Sequence, residues 1–327
     1  MMNRYGKEKR PFLFIVDYEV ERIYVERLER IGPDVLLYDF NGVSNAVSGE
    51  TGCESPSCAS SDWMDVHPVD MEAYRRSFEK VRRHILAGDT YLANLTHATS
   101  IDLRLSLVDL FHLAEARYRL CIPRQFVVFS PETFVRIRDG FICSYPMKGT
   151  ISASVPNARE VILSNEKESA EHATIVDLIR NDLSQVSAHV TVPRFRYMDE
   201  IHTHTGETLL QVSSEVRGKL AGDWQQRLGD ILLPLLPAGS ITGAPKPKTV
   251  RIIREAENYR RGFYTGVMGL FDGESLDSAV MIRFIEQTDT GFLFKSGGGI
   301  TSKSEWQKEY EEINQKIYIP LRRGGKR

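Results

Sequence analysis

Hydrophobic positions along this chain change period several times, and the changes mark out its elements. Met71, Tyr74, Phe78, Val81 and Ile85 step by three and four residues, the spacing of one helix face, and Gly88 stops the run. Leu107, Leu110, Phe111, Ala114 and Tyr118 predict a second helix by the same spacing. Longer helices are expected over 165 to 184, 223 to 235 and 304 to about 318, with another opening at Pro245. Between them lie β-rich runs: FLFIV and LLYDF near the N-terminus, TYLANLT, QFVVFS and TFVRIRDGFICSY in the middle, then FYTGVMGLF, SAVMIRFIEQ and GFLFKS. Asp139-Gly140, between two such runs, is a hairpin signal. Hairpins mixed irregularly with helices argue for an α+β fold and against a parallel doubly wound sheet.

Residues 42 to 62, GVSNAVSGETGCESPSCASSD, break the pattern: Gly and Ser crowd the stretch without any hydrophobic period, so it reads as a linker. It divides a short N-terminal segment, 1 to 65, from a main domain over 66 to 327. Composition narrows the function classes. With 42 Lys plus Arg against 44 Asp plus Glu the net charge is −2, so neither nucleic acid nor a polybasic membrane contact is expected. No apolar run approaches the roughly 18 residues of a membrane helix, and Phe12 to Val16 is too short for a signal-peptide core, which points to the cytoplasm. Cys53, Cys58, Cys121 and Cys143 are too sparse for a disulfide framework and read as free thiols. Cys53 and Cys58 have no matching Cys/His pair downstream, so zinc is not expected.

The candidate chemistry is acidic. Glu168 and Glu171 on one expected helix, and Glu309 and Glu312 on another, each stand three residues apart and project from one face. Hard oxygen ligands of this kind suit Mg²⁺, although the same spacing also describes a solvated helix face. SGGGIT at 296 to 301 lies ahead of the last helix, whose start Ser304 and Gln307 mark as a capping box. Such a glycine run either brings backbone N–H groups onto an anion at the helix entrance or is a plain tight turn. GSITGAPK at 239 to 246 repeats the arrangement, with Pro245 suited to the first helical position. Arg283, in a strand pattern, suits bidentate carboxylate recognition. Lys148, just past a strand and followed by Gly149, becomes a nucleophile if desolvation lowers its pKa. Glu132 in SPETF serves as a general acid if its pKa is raised.

Taken in order, GDTYLANLT, SPETF, PMKGT, EHATIVDLIRNDL, LPAGSITGAPK, SAVMIRFI and SGGGIT with EYEE resemble the chorismate-utilising enzymes over roughly residues 70 to 320. The resemblance implies an α+β fold of two orthogonally packed antiparallel sheets flanked by outer helices. It also implies chorismate as substrate and Mg²⁺ as cofactor, with Glu171 and Glu312 as direct ligands and Glu168 and Glu309 completing the metal set. Glu132 matches the family's general acid. Asn94, Gly149, Thr150, Thr242, Gly243, Tyr264, Arg283, Gly297, Gly298 and Gly299 fall on catalytic and substrate-binding positions. Lys148 before Gly149 resembles the aminodeoxychorismate-synthase branch, where anthranilate synthases carry a small residue. That branch implies a covalent lysine intermediate, ammonia delivered by a separate glutamine amidotransferase subunit, and a place in para-aminobenzoate and folate supply. The chain departs from the family at Leu92, where hydrating members carry lysine and aminating ones usually glutamine, and also at Gln185 and Gln211.

Overall fold

The structure, a computed structural model, describes residues 1–46, 63–202 and 208–321. Most of the expected linker, with Cys53 and Cys58, lies outside the described residues. The chain begins with α1 (Met2–Lys7), β1 (Phe12–Val16), β2 (Ile23–Arg27), β3 (Leu37–Phe40) and β4 (Val43–Ser44). Next come β5 (Met64–His67), α2 (Met71–Leu86), β6 (Leu92–Leu103), α3 (Leu107–Leu113), β7 (Tyr118–Ile122) and β8 (Phe126–Ser130). The middle holds β9 (Thr133–Arg138), β10 (Phe141–Ser144), β11 (Met147–Ser152), α4 (Ala158–Ser164), α5 (Glu166–Ser184), β12 (Ala188–His202) and β13 (Thr208–Lys219). After these follow α6 (Leu228–Leu232), β14 (Gly243–Ala244), α7 (Lys246–Ala256), β15 (Val267–Phe271) and β16 (Leu276–Val280). The last elements are β17 (Phe284–Thr288), β18 (Gly291–Ile300) and α8 (Trp306–Gln315).

The strands form two nine-stranded antiparallel sheets. One runs β11-β13-β10-β9-β16-β15-β1-β2 with β12 on β13, the other β14-β6-β18-β17-β8-β7-β3-β4 with β5 on β6. Period-two alternation explains how they stack. In β1, Phe12, Phe14 and Val16 pack toward α1, α5 and α6, while Leu13 and Ile15 turn into a core shared by both sheets. In β8, Phe126 and Val128 enter that shared core, and Val127 and Phe129 pack under α3. Both faces of these strands are buried, which is why FLFIV and FVVFS read as unbroken apolar runs.

The α+β expectation holds, with several local corrections. Residues 1–46 are not a separate segment in the sheets: β1 lies between β15 and β2, and β3 pairs with β7. Tyr118 belongs to β7 and not to the preceding helix, because a buried strand residue happened to continue the helical spacing. The helix expected over 223 to 235 is broken into a 3-10 turn at Trp224–Arg227, α6, and a 3-10 turn at Leu233–Leu235. Pro234 there lacks the N–H a continuous helix needs. SAVMIRFIEQ is two strands in different sheets, β16 and β17, and Met281 to Arg283 cross between them. The long hairpin of β12 and β13 was not expected, since three register shifts in β12 break the alternation by which strands are read.

Candidate active site

Two chain crossovers between the sheets build the centre of the site. β8 passes to β9 through Pro131 and Glu132, and β16 passes to β17 through Met281, Ile282 and Arg283. They are tied together: Val280 N donates to Glu132 O (3.1 Å) and Phe129 N donates to Arg283 O (3.1 Å). Arg283 therefore sits at a corner and not in a strand, with φ 55° in the left-handed region, where a side chain costs about 1 kcal/mol or more. Its Nε is buried without a hydrogen-bond partner, and Nη2 donates to Tyr318 Oη at 3.4 Å. Glu132 Oε1 accepts from Ser240 Oγ at 2.5 Å. Burial pushes the Glu132 carboxyl above its ordinary range, against the pull of Ser240 and the charges of Arg283 and Lys316. Tyr264, buried just ahead of β15, has its phenol raised by burial, opposed by Arg261 and Arg283.

An acidic wall faces this corner. Asn165 caps α5 by accepting from Glu168 N (3.1 Å), which fixes the first turn and aims Glu168 and Glu171 along one face. β11 shifts register against β13 between Met147 and Thr150, so Lys148 and Gly149 bulge from the ladder. Lys148 Nζ lies 2.7 Å from Glu171 Oε2. Burial opposes the lysine's charge, but Glu171, Glu168 and Glu312 together outweigh it and hold the ammonium above its ordinary pKa. The expectation of a lowered pKa is thereby corrected, because the carboxylates that make the wall also stabilise the cation. Gly149 (φ 84°) passes so close to α4 and α5 that a Cβ there would lie 3.4 Å from Glu168 Oε2 and from Ile162 Cδ1. Glu168 Oε2 itself is buried without a hydrogen-bond partner.

The second glutamate pair lies on α8. Glu309 is buried, not on the flank of the apolar stripe, while Glu312 is half-exposed and pairs through Oε1 with Lys316 Nζ at 2.6 Å. Lys316 Nζ also donates to Gly297 O at 2.9 Å. A Cβ on Gly298 would stand 3.5 Å from Glu309 Oε2 and 3.8 Å from Glu312 Oε1, so the bare glycine is what lets the strand approach both carboxylates. Among the described residues no three His, Cys, Asp or Glu groups gather closely enough to hold one metal ion in this conformation.

The glycine run is neither a tight turn nor a helix-entrance loop. Gly297, Gly298 and Gly299 lie within β18, opposite Thr96, Leu95 and Asn94 of β6. β17 starts at Phe284, opposite Lys295, so from Ser296 onward that edge of β18 has no strand beside it among the described residues. Ser304 does not cap α8: its Oγ accepts from Thr301 N (3.1 Å), and Glu305 takes the N-cap position with no side-chain cap. Pro245 is likewise the N-cap of α7 and not its first helical residue.

The fully buried Arg261 pins the neighbouring backbone, donating to Asn94 O (2.6 Å) and Ile241 O (2.9 Å) while paired with Glu257 (2.7 Å). Asn94 N in turn donates to Thr242 O (2.9 Å). The Thr242 hydroxyl is spent on Ala238 O (2.8 Å) inside the fold, and Thr150 faces solvent, so neither hydroxyl is presented to the centre. Gly243 has φ 127°, and a Cβ there would fall 1.9 Å from Leu92 O. Two hollows lie against α5. One of about 20 Å³, room for a water, lies against Glu132 and Asp182; another of about 170 Å³ is lined by Leu92, Glu171, Thr174 and Thr301. Of the departures, Leu92 lines the larger hollow, Gln211 Nε2 reaches Thr150 Oγ1 at 3.4 Å, and Gln185 caps the C-terminus of α5.

Sequence reasoning missed Lys316 and Ser240. Lys316 stands four residues after Glu312, a spacing that could have flagged it as that carboxylate's partner. Ser240 lies inside GSITGAPK, but nothing in that motif pairs it with Glu132, which it reaches across 108 residues of chain.

The family described as chorismate binding enzyme matches residues 12–322. An "Uncharacterized PabA-like protein" of Haemophilus influenzae is 48% identical over 319 residues, covering 98% of this chain and 95% of that protein. Aminodeoxychorismate synthase component 1 of Bacillus subtilis is 32% identical over 269 residues, 78% of this chain and 56% of that enzyme. Among solved structures, anthranilate synthase component I from Streptococcus pneumoniae superposes with a TM-score of 0.65 at 25% identity, covering 78% of this chain and 59% of that one.

Proposed function

This chain belongs to the chorismate-binding enzyme family, and from that premise we propose that it is an aminodeoxychorismate synthase component I. Chorismate and ammonia become 4-amino-4-deoxychorismate and water. The observation that carries the reading is Lys148, a primary amine bulged from β11 into the wall of glutamates. Chorismate is a dicarboxylate, and Arg283 with its unpartnered buried Nε, Lys316, and the open edge of β18 supply donors for it.

Each proton can be followed. The Lys148 ammonium first gives one proton to solvent, regained when the lysine is released; its free amine adds at C2, the ring double bonds shift, and the C4 hydroxyl leaves as water with the proton of Glu132. That carboxyl is suited to giving a proton because burial raises its pKa. Ammonia adds at C4, the double bond shifts back, and Lys148 leaves as the free amine. Glu132, now a carboxylate, takes the surplus proton from the new ammonium and is reset.

By donor type the four glutamates suit Mg²⁺. They are hard oxygen donors, Glu168 Oε2 is a buried acceptor without a partner, and the missing Cβ of Gly298 leaves a cradle before Glu309 and Glu312. Glu171 and Glu312 would be the direct ligands, backed by Glu168 and Glu309. When bound, the ion would neutralise the ring carboxylate and stabilise charge that moves with the double bond.

Ammonia would come from a separate glutamine amidotransferase subunit; of the described cysteines, burial pushes the Cys121 thiol up to about 12 and also raises Cys143, the reverse of an activated nucleophile. The likeness to an anthranilate synthase structure supports a second reading, amination at C2 with loss of pyruvate. Mass analysis of the product from chorismate, ammonium and Mg²⁺ separates them. The reading requires exchange of the hydroxyl for an amine with the enolpyruvyl group retained. An aromatic amine lacking it would overturn the assignment, and substrate binding without turnover would indicate a non-catalytic subunit.

A further inference from the structure

We propose that Lys148 and a divalent cation compete for one carboxylate, that of Glu171, so that arrival of the cation releases the lysine amine toward substrate. The proposal rests on the metal reading above. Each of the two glutamates read as direct ligands holds an ammonium: Lys148 Nζ is 2.7 Å from Glu171 Oε2, and Lys316 Nζ is 2.6 Å from Glu312 Oε1. The lysine satisfies one glutamate of α5 and leaves Glu168 Oε2 beside it buried without a hydrogen-bond partner. A hard dication draws several carboxylate oxygens to about 2.0–2.1 Å, and an ammonium already on the same oxygen would be repelled. The bulge at Lys148 and Gly149 supplies the freedom to change partners, because those residues stand outside the ladder and can re-aim while β11 stays paired with β13.

The test is calorimetric titration of the full chain with Mg²⁺ alone, comparing wild type with Lys148→Met, Lys148→Gln and Lys148→Arg, each first checked for a cooperative thermal transition. Removing the competing cation should tighten Mg²⁺ binding about tenfold or more in the Met variant, with Gln giving the same answer should Met fail to fold. Arg keeps the competing charge and should stay within about threefold of wild type. Equal or weaker binding by both neutral variants overturns the competition, as does the absence of Mg²⁺ binding in every form. A wild type that makes the C4 amine while the neutral variants bind Mg²⁺ no tighter loses this inference and keeps the function.

Discussion

Lys148 and Glu132 ask opposite things of their surroundings, and the fold answers each separately. Lys148 lies among carboxylates that keep it cationic, whereas Glu132 lies where burial keeps a carboxyl protonated beyond its ordinary range. If the lysine is the nucleophile, chorismate without ammonia should leave a dehydrated adduct on Lys148 visible by intact-protein mass, and ammonia should discharge it. Lys148→Ala should lose that adduct and lower C4 amination roughly 100-fold or more. Near wild-type rate in this variant would remove the covalent step. For Glu132 the sign is fixed by its raised pKa: the acid form persists to higher pH, so kcat/KM should fall as pH climbs through that pKa. Glu132→Gln should erase this alkaline limb along with most activity; an unchanged profile would count against the role. Stability follows the same sign, because what the raised pKa contributes is present below the unfolded value near 4.3 and is lost as pH rises through the folded one. Glu132→Gln should therefore not lower Tm at alkaline pH. The glutamate pairs and the lysine were legible as candidates because their spacing and neighbours are local, whereas the corner that holds Arg283 was read as a strand. The direction of the lysine's pKa was not legible, since it depends on Glu171 and Glu312, far along the chain.

The glycine strand separates two reasons for lacking a side chain. At Gly297 a Cβ would meet Thr96 Cγ2 at 2.6 Å and Leu95 O at 2.9 Å, the latter backbone that cannot yield cheaply. Gly297→Ala should therefore cost about 1–3 kcal/mol, read as a lowered denaturation midpoint. At Gly298 the nearest atoms are the Glu309 and Glu312 oxygens at 3.5 and 3.8 Å, ordinary contact distances. Gly298→Ala should fold with stability within about 1 kcal/mol of wild type yet turn over chorismate poorly, because its methyl occupies the approach to those carboxylates. Equal loss of stability in both variants would refute this division. Helices such as α2 and α5 were legible from periodicity, and α2 ends within a residue or two of its expected stop. SGGGIT was not, because glycine carries no side chain to alternate and its pairing with β6 is set by residues some two hundred positions away.

At the scale of the whole molecule, the Gly/Ser-rich stretch suggested a boundary that the sheets ignore. A truncation beginning at residue 66 removes β1 and β2 from beside β15 and β3 and β4 from beside β7, baring buried apolar side chains in both sheets, and should be insoluble or lack a cooperative transition. A soluble, cooperatively melting fragment would contradict that dependence. The full chain should use ammonium and leave glutamine untouched unless an amidotransferase is added, checked by turnover with ammonium excluded. The position of β1 carries one more consequence. Phe12 to Val16 leave the ribosome some 250 residues before their partner strand, Val267 to Phe271, is made. At about 5–20 residues per second, a five-residue apolar strand waits many seconds for its neighbour. During synthesis β2, which follows within a few residues, is the one partner of β1 available before β15 is made, so a strand made early is completed late.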